Sequence, residues 1–263
     1  MNTIFKIDMD IFKQLMRLKL TNIRNKLVEK IVNIYIWSGC TLFVMGYLMQ
    51  SSGLAKNFGT FQLASILAVI GLFELYGNTA TLVSDFEGDR IIAYYLTIPS
   101  SVITVLLSYT CYYLIISMSV SIALLPLGKL LLFNQLSLMN INWVKFVVFL
   151  LLVNLLWATF AFVMSSYLAS IEKLGVIWCR VIVPMWFLGG FQFSWTAMHS
   201  ISPILSYVIL LNPVIYATEG MRAIVLGQND TIPFWICCTV LSVMIICIGF
   251  WSYKALKKRL DFV

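Results

Sequence analysis

Residues 144–169 read VKFVVFLLLVNLLWATFAFVMSSYLA. A run of this length and apolarity, with Lys145 as its one charge, forms a helix about 39 Å long, against a hydrocarbon core of about 30 Å. It reads as a membrane span. Five further runs share its character, near 31–50, 60–83, 102–125, 176–195 and 233–253. Together they predict an all-α polytopic membrane protein with six transmembrane helices. Of the 263 residues, 61% are hydrophobic and 11% are charged. A soluble domain carries about 25% charge, so the composition excludes a water-soluble globule, and it leaves no length for a separate soluble enzyme domain. Mean hydropathy is +0.93. The net charge of +7 fits the positive-inside bias of a membrane chain, and no nucleic acid is expected.

The connections orient the spans. With the N-terminus in the cytoplasm, fourteen of the eighteen Lys and Arg fall on the inner side, and only Lys56, Lys129, Lys145 and Arg222 fall outside. Both termini are therefore expected inside. Trp143, Trp178, Trp195, Trp235 and Trp251 lie near proposed span ends, where amphipathic rings prefer the interface. The first thirty residues hold no signal-peptide core, so the first run is expected to remain as an uncleaved span. Residues 201–217, ISPILSYVILLNPVIYA, are interrupted by Pro203 and Pro213. A seventh crossing there would also place the basic tail outside. Residues 197–226 are thus expected to form a re-entrant pair of short helices on the outer face, buried in protein or lining water.

Three other places hold candidate chemistry. In 4–28, Ile4, Ile7, Ile11, Leu15 and Leu18 recur at three and four, while Lys6, Lys13, Arg17 and Arg24 fall on another face. This pattern predicts an amphipathic helix in the headgroup region, with its bases toward anionic lipid. It serves either as an anchor or as a contact for a cytoplasmic partner. Residues 84–99, SDFEGDRIIAYYLTIP, are the most acidic stretch. Asp89 offers an N-cap for a short helix that Pro99 ends. That helix is either a docking knob presenting Ile91, Tyr94, Tyr95 and Leu96, or a solvated loop. Glu74 lies deep in the second span, where a carboxylate must be protonated, paired or facing water. It is either a proton or substrate-path site or a side chain packed between helices. Glu219 and Arg222, three apart on a helix, can pair.

Motif chemistry is lacking. No phosphate-cradling loop, HExxH or GxSxG is present. His199 stands alone, the Gly189-Gly190 pair reads as a kink or a close helix contact, and Cys40, Cys111, Cys179, Cys237, Cys238 and Cys247 read as small apolar side chains. No catalytic, cofactor or metal site is expected on this chain.

The layout resembles the permease subunits of type-2 ABC transporters, an exporter family serving drugs, polysaccharides and lipid-linked glycans. The amphipathic N-terminal helix, the acidic loop 87–99, the six spans and the stretch Leu211-Asn212-Pro213-x-x-Tyr216-x-x-Glu219-x-x-Arg222 carry the resemblance. It implies a half-transporter. A second permease chain, identical or different, would pair with this one, and two cytoplasmic ATPase subunits, holding ATP and magnesium, would dock beneath. Asp85, Glu87, Asp89, Arg90, Tyr94 and Tyr95 would couple to the ATPase. Asn212, Pro213, Tyr216, Glu219 and Arg222 would form the outer gate. Glu74 would face the path of an amphipathic or lipid-linked substrate. The expected home is the bacterial inner membrane. Two readings compete with this one: a proton-coupled secondary carrier using Glu74, and a membrane scaffold that transports nothing.

Overall fold

The computed structural model describes residues 2–21, 23–53, 57–98, 101–133, 135–227 and 231–260. Lys56 and Pro99 lie outside the described residues, as do the side chains of Ile4, Lys6 and Ile7. Among the described residues all regular structure is helical. Helix α1 (Asn2–Thr21) is followed by α2 (Ile23–Ser51), α3 (Phe58–Glu87), α4 (Ile91–Thr97), α5 (Val102–Leu131) and α6 (Trp143–Tyr167). Helix α7 (174–188) runs through a π-helical turn at Trp178–Ile182. Then come α8 (Trp195–Ile201), α9 (Pro203–Leu211), α10 (Pro213–Val225) and α11 (Phe234–Leu260).

Helix α3 is the axle. Most of it is buried among α6, α10, α5 and α2, while α2, α5 and α11 leave most of their apolar surface facing outward. Apolar side chains left outside a core of this kind are what a hydrocarbon solvent requires. Two glycines allow close approaches to α6. A Cβ on Gly71 of α3 would strike Trp157 of α6, and one on Gly220 of α10 would strike Phe149 of α6.

Among the described residues, α2, α3, α5, α6 and α11 are long and apolar enough to cross a membrane. The fifth expected span, 176–195, is helical only from 174 to 188, about 22 Å, and is too short by itself. Pro184 and the π turn interrupt its ladder, and Gly190, at φ +70°, ends the run in a turn. The chain still traverses the bundle there. The backbone N–H of Ile171 is held by Glu87 at one end of α3. Gly190 shares Arg222 with Ser65 near the other end. Residues 65 and 87 of one helix lie about 33 Å apart, so 171–190 covers that span with turns added to a short helix. Helices α9 and α10 meet at 100°, the geometry of a broken span or a re-entrant pair.

Helix α1 is described to Thr21 and α2 from Ile23, with Asn22 outside the described residues, so Arg24 lies in the first turn of α2 as described. Helix α1 lies along α5, with Leu15 buried, Leu18 exposed, and Asp8 accepting the Ser101 N–H at 3.0 Å.

Candidate functional site

Glu87, α4, the N-terminal end of α5 and the end of α11 gather at one end of the bundle. Asp85 organises this end. Its two carboxylate oxygens accept the backbone N–H groups of Ile91 and Ile92 at 2.8 and 3.0 Å, and its carbonyl accepts that of Arg90. The N-cap of α4 is thus Asp85, reaching across a tight turn, and not Asp89, which stays in solvent. The turn is tight because Arg90 adopts a left-handed conformation at φ 51°. Glu87 accepts the N–H of Ile171 at 3.2 Å and ties this turn to the segment entering α7. Ile92 is buried beneath α4, whereas Tyr94 is 66% exposed. Tyr95 is half-buried, and burial together with the nearby Asp85 charge raises its pKa.

Lys19 of α1 reaches into the same region. Its Nζ donates to Ser108 Oγ at 2.8 Å and sits 2.9 Å from the centre of the Tyr109 ring. Burial lowers its pKa to about 7, partly opposed by the charge of Asp85. No pattern pointed to Lys19, because it lies off the Lys6, Lys13, Arg17 and Arg24 face and only the packing of α1 on α5 encloses it.

Within the bundle, Glu74 of α3 is paired with Lys30 of α2. Beside the pair stands an aromatic group: Phe73 lies 5.0 Å from Trp37 and 5.5 Å from Trp186, and Tyr76 lies 5.3 Å from Trp178. Trp178 therefore packs on α3, against Phe73 and Tyr76. The apolar run begins only after Lys30, but α2 is already helical from Ile23, which places Lys30 within it.

At the opposite end, Glu219 and Arg222 of α10 are wholly buried and paired at 3.0 Å. Arg222 also donates to Ser65 Oγ at 2.6 Å and to the carbonyls of Phe193 (3.0 Å), Phe191 (3.3 Å) and Gly190, and it stacks 3.6 Å over Phe61. Glu219 accepts the N–H of Trp195 at 3.0 Å and of Ile232 at 3.4 Å. One ion pair thereby fastens α10 to α3, to the turn after α7, to the start of α8 and to the approach to α11. Asn212 caps α10 by accepting the Val214 N–H, and donates to the Met185 carbonyl at 2.7 Å. Pro213 opens the helix and Tyr216 is buried in it. His199 lies against Ser206 and Trp195.

Crossing helices around one buried axle, a bent helix pair at one end and a capped short helix at the other make a polytopic helical membrane protein. Residues 13–226 match the family model of the ABC-2 type transporter, and the chain belongs to that family as a permease component. No curated protein matches the chain.

Proposed function

We propose that this chain is one half of an ATP-driven exporter for an amphipathic or lipid-linked substrate. It would lie in the bacterial inner membrane with both termini in the cytoplasm. A second permease chain would complete the pathway, and two ATPase subunits, carrying ATP and magnesium, would dock against α4. The observation that carries this reading is the double clamp of the α3–α4 turn. Asp85 makes α4 a fixed lever, and Glu87 couples that lever to the entrance of α7. Force applied to Tyr94 and its neighbours passes directly into α3 and α7. Those two segments end in the Glu219–Arg222 fastening, so a push at one end biases the packing of the re-entrant pair at the other, in the manner of a rocking, alternating-access cycle.

The cargo class follows from chemistry. The aromatic group around the Lys30–Glu74 pair is apolar with one polar point, which suits an amphipathic molecule better than a small ion. The competing carrier reading has to free Glu74 from a contact it already makes with Lys30. Transport by proteoliposomes holding this chain and its ATPase tests the choice. Depleting ATP at constant proton gradient should abolish flux, and collapsing the gradient at constant ATP should leave it. The reverse pattern would overturn the exporter reading.

A further inference from the structure

Helix α11 packs on α6 and α10 but stands apart from α7, leaving a long groove between α7 and α11 with α6 as its floor. Three cavities of about 660, 490 and 580 Å³ follow one another along it. The first two share Trp251, and the second and third share Tyr167, Leu168 and Ala169. The groove exists because α7 is short and interrupted by Pro184 and a π turn, so it cannot follow α11 side by side. Along α11 it runs from Met244 to Lys258, about 21 Å, more than the ~15 Å depth of one leaflet's hydrocarbon.

Its two ends differ in chemistry. Toward α9 the walls are Leu188, Ile209, Leu211, Met244 and Ile248. At the end of Tyr167 the walls carry Lys173, Lys258 and Arg259. Arg259 is fixed there. Its Nη1 donates to the carbonyls of Ser165 and Leu168, the latter at 2.6 Å, and its guanidinium stacks 4.5 Å over Phe86. The nearby acids are Glu87, which is committed to Ile171, and the exposed Glu172. Lys173 and Lys258 remain exposed to solvent. Trp251 donates to Tyr167 Oη at 2.9 Å, placing two amphipathic rings where the apolar walls give way to the basic ones.

We infer that this groove holds an anionic phospholipid as a resident ligand, with its acyl chain along α6 and α11 and its phosphate between Lys173 and Lys258. The charge pattern selects the occupant. A second helix would place an apolar surface along the whole groove and leave the lysines facing nothing. A lipid with a negative headgroup satisfies both ends at once. Such binding is independent of transport and of the energy source.

The test is native mass spectrometry of the purified full chain, after exchange into phosphatidylglycerol or phosphatidylcholine with identical acyl chains. The wild type is expected to retain phosphatidylglycerol far better. Each basic residue near a phosphate is worth ~1 kcal/mol, so Lys173→Ala/Lys258→Ala should weaken that retention about 25-fold and leave phosphatidylcholine unchanged. Val176→Trp, an exposed wall position, should lower retention of both lipids. Soluble glycerophosphate should not displace the lipid. Equal retention of the two lipids by the wild type overturns the inference without recourse to any variant. So does unchanged phosphatidylglycerol in the double lysine variant. Displacement by glycerophosphate would reduce the site to a phosphate contact and refute the acyl groove, as would full retention in Val176→Trp.

Discussion

The two ends of this bundle use charge in opposite ways. At the α10 end, Glu219 and Arg222 have no solvent exposure, and their carboxylate oxygens and terminal guanidinium nitrogens bond to four separate segments, leaving only the Arg222 Nε without a partner among the described residues. At the α4 end, Asp89, Arg90 and Tyr94 are exposed, and of the acids in the α3–α4 turn Asp85 and Glu87 are committed, both to backbone N–H groups. The first arrangement holds a fold together. The second holds a surface still so that something else can use it. A buried charge loses too much hydration to remain unless its neighbours are fixed around it. An exposed charge on a clamped helix loses nothing and stays available.

The contrast is broken most directly by removing one partner of the buried pair. Glu219→Leu leaves Arg222 uncompensated in the interior, an expected loss of about 3–5 kcal/mol. Arg222→Met does the same to Glu219. The thermal unfolding of detergent-solubilised protein measures both. The double variant should recover part of the loss, since neither charge is then left alone. Single variants as stable as the wild type would show that the α10 end is not sealed in the way described.

At the other end the equivalent cut is Asp85→Ala. It strips the cap from a seven-residue helix and should cost about 0.5–2 kcal/mol. The loss should stay local. Amide exchange at Ile91 and Ile92 should accelerate by about fivefold or more for each ~1 kcal/mol, while global unfolding barely moves. If Asp85→Ala unfolds the chain as readily as Glu219→Leu, the two ends do not differ in kind.

Composition and run length made the class legible, because hydrocarbon demands long apolar helices and little else satisfies it. The bend between α9 and α10 was legible because Pro203 and Pro213 interrupt the apolar run. The Glu219–Arg222 pairing followed from helical spacing. What stayed hidden was everything decided by contact between segments distant in the chain. Asp85 rather than Asp89 caps α4, because the left-handed Arg90 folds the turn back on itself. Lys30 belongs to Glu74, because α2 starts well before its apolar stretch. The fifth span is short, because a π turn carries no sequence signature of its own. Ser65 is one hydroxyl among many until Arg222 arrives from 157 positions away.

Lys19 offers a finer cut between sealed and displayed charge, since it is enclosed but lies at the displayed end. Its folded pKa of about 7 lies below its ordinary 10.5. The unfolded chain therefore binds more protons between those values, and stability should rise with pH across that window. Below about pH 7 the penalty is fully present, and by pH 10.5 it is gone. Lys19→Met should be more stable than wild type at pH 7, and the difference between the two should shrink toward pH 10. A pH-independent difference would mean that Lys19 stays charged in place, with Ser108 and Tyr109 holding the ammonium.

The smallest effect on stability should accompany the largest effect on coupling. Tyr94 is exposed on α4, and nothing in the bundle depends on its ring beyond a tilted contact 6.1 Å from Tyr95. Tyr94→Asp should therefore change unfolding by less than about 0.5 kcal/mol, the usual range for a surface change. If α4 is the lever proposed above, the same substitution places a carboxylate in the centre of its docking face. ATP-dependent flux and ATPase co-purification should then fall together. Tyr94→Phe, which keeps the ring, should preserve both. A Tyr94→Asp chain that is stable, binds its ATPase and transports normally would leave α4 as a well-capped loop and move the coupling surface elsewhere. The exposed face of α1 would be next in line, because Asp8 and Lys19 already join it to the same end of the bundle.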